Sequence, residues 1–114
     1  MTCRVYLPAT LDLLGEWAAA GLVPAAADRF VADDDSEDSE FDALVAAADA
    51  SAALVGSRGQ RVVLVADLPD ADAEVPWRLV AAVHADPVEV DTSAPDELDV
   101  PAWFAVQEVS DLLG

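Results

Sequence analysis

Three side chains of the 114-residue sequence could act together on a substrate: the hydroxyl of Thr10, the carboxylate of Asp67 and the only imidazole, that of His84. A base, a carboxylate to orient it and a hydroxyl are the groups that hydrolytic chemistry requires, provided they share one edge of the fold. Thr10 follows a β-rich stretch and opens a helical one, whereas Asp67 ends an apolar run. If the strands at 3–7 and 61–66 run parallel, both residues lie at the carboxyl edge of the sheet, where open α/β sheets place ligand sites. His84 joins them only if its strand runs the same way. Each residue also has an ordinary structural role: Thr10 as a helix cap, Asp67 as a turn acceptor, His84 as a strand-end side chain. No G-x-S-x-G turn accompanies the three.

Other chemistries fail on spacing. The run Asp33 to Glu40 (DDDSEDSE) invites a calcium loop, but an EF-hand needs glycine at its sixth position and glutamate at its twelfth; counted from Asp33 these are Asp38 and Leu44. Phosphate loops need several glycines before a helix, and Gly56-Ser57-Arg58-Gly59 follows one instead. Cys3 is the single cysteine, which excludes an internal disulfide and a cysteine-based zinc site. No cofactor and no metal centre is expected.

A second kind of site is an interaction surface. Trp77 follows Pro76 beside an acidic loop carrying Asp70, Asp72 and Glu74. Exposed there, it would suit a partner with an apolar spot in basic surroundings; the alternative is a ring folded back over the sheet edge.

The charge balance narrows the partners. The chain holds 23 acidic residues against five arginines and no lysine, a net charge of −18. Nucleic-acid binders displace counterions with Lys and Arg, so direct DNA or RNA binding is excluded as a reading, as is attachment to anionic lipid. A basic protein partner is permitted. A GC-rich coding sequence or a salt-adapted cytoplasm accounts for the same composition without any partner.

The elements follow from periodicity. Residues 3–7 alternate as a strand, Pro8 is expected to end it, and Thr10 to cap a helix with Leu11, Leu14 and Ala18 on one stripe, closed by Gly21. Residues 29–32 make a weak strand. Phe41, Leu44, Val45, Ala48, Ala52 and Val55 recur at helical spacing, with the acidic run at the positive end of that helix and capping boxes at Asp34-x-x-Glu37 or Ser39-x-x-Asp42. Gln60–Ala66 and Leu79–His84 are apolar strands, residues 86–101 an irregular connection, and Trp103–Val106 a last strand before a helical turn. The expectation is one α/β (α+β) domain over 1–114, in the order βαβαβββ. Two main helices lie on a mixed four- to five-stranded sheet in two layers. No apolar run approaches the roughly 18 residues of a membrane span, and no signal segment leads the chain, so a cytoplasmic protein is expected.

Arg4-Val5-Tyr6-Leu7-Pro8-Ala9-Thr10 resembles the opening of a family of small uncharacterised actinobacterial proteins. Val80-Ala81-Ala82-Val83-His84 is similar to that family as well, as are Trp103-Phe104 and the following Gln107-Glu108; the stretch before Trp103 is shorter here than in the family pattern. The resemblance implies host and compartment and carries over no catalytic residue. The leading functional expectation is therefore a non-enzymatic, acidic interaction or accessory module. The alternative is a small hydrolase or ligand-binding protein using Thr10, Asp67 and His84.

A chain of one sign repels itself when folded. Raising NaCl from about 10 mM to about 150 mM shortens the screening length from roughly 30 Å to 8 Å, and thermal melting should shift upward across that range. A flat or falling midpoint would show that self-repulsion does not limit this fold.

Overall fold

Thr10 does at the first corner what its position promises. In the computed structural model, which describes residues 2–94 and 98–113, its hydroxyl accepts the Leu13 N–H at 3.1 Å. Helix α1 (Leu11–Ala20) starts there and ends at Gly21, whose φ of 81° is open to glycine at no steric cost. The preceding strand β1 (Cys3–Ala9) does not stop at Pro8 as expected but continues through it. Its outer neighbour β3 (Phe30–Val31) pairs only with Val5 and Tyr6, and proline is tolerated where one flank of a strand is open.

Helix α2 (Glu37–Val55) is capped by neither expected box: Ser36 accepts the Ser39 N–H at 3.2 Å, while Asp34 accepts the Ser36 N–H at 2.8 Å. The helix rises about 28 Å over 19 residues, close to the roughly 24 Å length of a seven-residue strand. It therefore delivers the chain to the Ala9 end of β1. There β5 (Val62–Leu68) begins and runs back, pairing from Ala9↔Val62 to Cys3↔Leu68.

That pairing is antiparallel, and the expected parallel arrangement of these two strands does not occur. The weak strand β3 is the reason. It returns the chain to the start of β1 before α2 sets out, so that β3–α2–β5 is the parallel crossover unit and β1 lies between its two strands. Strands β7 (Val80–Ala85) and β9 (Ala102–Phe104) follow in antiparallel pairing. The five-stranded sheet reads β3-β1-β5-β7-β9 and is antiparallel throughout, not mixed. Two short ribbons flank it. One pairs β2 (Leu22–Val23) with β6 (Val75–Pro76), the other β4 (Arg58–Gly59) with β8 (Val90–Asp91).

Strand alternation sends the core to both faces. Val5, Leu7, Val62, Leu64 and Val83 meet Leu14 and Trp17 of α1 and Val109 of the terminal helix α3 (Val109–Leu113). Tyr6, Val63 and Val65 meet Ala43, Leu44, Ala47 and Ala48 of α2 on the other. The molecule is an α+β fold with helices on both faces, three layers where two were expected.

Two buried polar joints hold the Ala9 end. The Ser51 hydroxyl of α2 donates to the Ala9 carbonyl at 2.7 Å and accepts the Val62 N–H at 2.8 Å. Arg61 reaches Asp86 through two guanidinium bonds of 2.8 Å and gives it its backbone N–H at 2.9 Å; a third side-chain bond runs to the Asp99 carbonyl. Both members of the pair are buried. Ser51→Ala strands two backbone groups and should cost about 1–3 kcal/mol in urea unfolding; Asp86→Asn leaves a buried guanidinium short of its counter-ion and should cost about 3–5 kcal/mol. Losses below about 0.5 kcal/mol would remove either joint from the account.

Candidate functional site

One helix cannot cover five strands. At about 4.8 Å between neighbours the sheet is roughly 19 Å across, whereas a helix with its side chains is about 10 Å wide. Helix α2 is fixed over the β3–β1–β5 side: Ser51 anchors its second half, and Arg4 on β1 reaches Glu40 in its first turn at 3.3 Å. Among the described residues no helix lies over the same face of β7 and β9, and a cleft of about 430 Å³ lies along the boundary.

Ladder register sets its floor. One rung across the sheet reads Pro8, Val63, His84, Trp103, and the next on the same face reads Tyr6, Val65, Ala82. Between these rungs and Val80 the register of β7 slips by one residue, and the extra residue, Ala81, turns toward the cleft mouth. His84 and Trp103 are directly opposed across β7 and β9, which places their Cβ atoms about 5 Å apart. Phe41 and Leu44 line the helix wall.

Phe41 was expected in the core stripe of α2, yet it is 54% exposed. The buried stripe is Ala43, Ala47 and Ser51 beside Leu44, Ala48 and Ala52, rotated from the large side chains toward the small ones. Small residues let the helix settle close to the sheet, and Phe41 is left on the rim. Trp103, 60% exposed, stands on the opposite wall.

Electrostatics at one end of the cleft centre on Arg4. Its Nε and one terminal nitrogen donate to the two Asp67 oxygens at 3.0 and 3.2 Å, and its other terminal nitrogen donates to Glu40. The bond to Asp67 is the main reason its pKa is raised, partly offset by burial. Tyr6, 5% exposed at the cleft floor, has its phenol pushed above the ordinary 10.0, first by burial and then by the Glu40 charge, with Arg4 opposing. His84 Nδ1 lies 3.2 Å from the Pro101 carbonyl. A carbonyl only accepts, so Nδ1 is the donor in this contact.

The three residues singled out for acid–base chemistry are not gathered. Asp67 is level with Arg4 and His84 with Val63, four residues apart along β5, or about 14 Å. Thr10 lies beyond Ala9, at the opposite end of β1 from Asp67 by about 20 Å, and its hydroxyl is committed to α1. Antiparallel pairing is the physical cause. The loop of Asp70, Asp72 and Glu74 is exposed, and Arg29 donates to its Ala71 and Ala73 carbonyls at 2.9 and 2.6 Å. Trp77 is half-buried against the α1-side core, with its backbone N–H on the Gly21 carbonyl at 2.9 Å. The exposed tryptophan is Trp103, which the sequence places at the start of the last strand. Among the described residues no group of three or more His, Cys, Asp or Glu is placed to hold a metal ion. No described helix is long and apolar enough to cross a membrane.

Tyr6 is the chain's single tyrosine, so phenolate absorbance reports it alone. Because the fold holds the proton more tightly than the unfolded chain does, the stability this group contributes is present below 10.0 and is lost as pH rises through the folded value. The phenolate midpoint should lie above 10.0, and Tyr6→Phe should flatten the alkaline fall in urea stability. A midpoint at or below 10.0 would place the ring in solvent.

No curated protein and no solved structure matches the chain. A family model, described as a family of unknown function, covers residues 3–113, nearly the whole sequence. The chain therefore belongs to that family, DUF6912.

Proposed function

We propose that this protein is a non-enzymatic, acidic interaction module of the cytoplasm that docks a basic partner protein at the cleft between α2 and β7–β9. The observation that carries the reading is the pair of exposed aromatic side chains, Phe41 and Trp103, on the two walls of one cleft. Aromatic side chains are enriched at the centres of protein interfaces. Glu37 and Glu40 stand on the helix wall, the acidic run Asp33–Asp35 precedes them, and the chain as a whole carries −18. A second copy of the same charge is repelled, whereas a basic surface is steered in. The hydrolytic alternative has less support, since its three residues occupy separate parts of the fold.

Affinity capture from the host extract, run as a salt series, tests the proposal. The wild-type chain should retain a basic protein at low salt and release it at high salt, and Phe41→Ala or Trp103→Ala should lose the same protein at low salt. Retention of nothing at any salt, or retention indifferent to both substitutions, would overturn it.

A further inference from the structure

We propose that the cleft is a receptor for an arginine side chain, its guanidinium stacked on the exposed rings of Phe41 and Trp103 and paired with Glu37. The inference rests on the reading above only in taking the ligand to belong to a basic protein. It goes further in naming the group recognised.

Local charge points to a cation. Arg4 is the one positive side chain at the cleft, and both of its donor edges are occupied, by Asp67 and by Glu40. Among the described residues no cation pairs with Glu37, so a negative charge remains unmatched on the helix wall.

The aromatic walls select guanidinium over ammonium. A planar, weakly hydrated guanidinium stacks on aromatic faces and presents several donors in a fixed fork, whereas an ammonium is a compact and strongly hydrated point charge. The floor suits the rest of the side chain, since Leu44, Val65 and Ala82 offer apolar surface to three methylenes.

Titration of the full chain with a blocked Gly-Leu-Arg-Leu-Gly peptide, followed by amide and indole NMR shifts, tests the assignment. Saturable shifts should centre on the Trp103 indole N–H and on the amides of residues 37–41 and 82–84. The citrulline counterpart, which keeps the shape and loses the charge, should fail to bind, and the lysine counterpart should bind several-fold more weakly. Trp103→Ala should weaken the arginine peptide about fivefold. Glu37→Gln should weaken it by up to about fivefold, while Asp72→Asn, the same charge change outside the cleft, leaves it unaltered. Equal losses from Glu37→Gln and Asp72→Asn, with shifts spread along the acidic run, would overturn the arginine site and leave a diffuse basic-partner reading intact. Equal binding of the citrulline peptide, or none by the arginine peptide, would overturn the site as well; the capture experiment decides the partner reading separately.

Discussion

The width of a single helix against the width of a five-stranded sheet is the constraint from which the rest of this molecule follows. Helix α2 could have lain over the middle of the sheet and left two shallow margins. Instead it is held to one side by a salt bridge to Glu40 near its start and by the Ser51 hydroxyl near its end. The uncovered area is thereby gathered into one continuous strip over β7 and β9. Among the described residues, α1 and α3 share the coverage of the opposite face. A cleft with one helical wall and one sheet wall is thus the product of coverage, not of any special loop.

Charge and shape then act at different ranges. The excess of aspartate is spread over the surface and sets the long-range field, which chooses the sign of what approaches. The cleft acts at contact, where Arg4 is already neutralised by its own carboxylates and the aromatic rims are exposed. Surface exposure limits what the Arg4 bonds contribute to stability, since exposed pairs are worth about 0–1 kcal/mol. Their value is in fixing the first turn of α2, and with it the position of Glu37 and Phe41.

Local grammar was legible in the sequence. Thr10 and Gly21 bound α1 as their types demand, and the apolar run Val62–Val65 is the buried central strand it resembles. What was illegible depended on relations between distant segments. Strand direction turned on β3, two residues of Phe30-Val31 that carry little periodic signal. The face of α2 turned on packing distance: a hydrophobicity pattern weighs Phe41 above Ala43 and Ala47, whereas close approach to a sheet favours the smaller side chains. Both bear on the site: antiparallel pairing disperses Thr10, Asp67 and His84, and the close seat of α2 leaves Phe41 on the rim.

The seat of α2 has an evolutionary corollary. Ala43 and Ala47 touch the sheet on the concealed side of the helix, away from the cleft, and their bulk sets the height at which the helix rides. Drift at these two inconspicuous positions would act as a shim, tilting the Phe41 wall toward or away from Trp103 without altering any residue a guest meets. Members of one lineage could in this way retune what they admit while their binding surfaces read as identical in sequence.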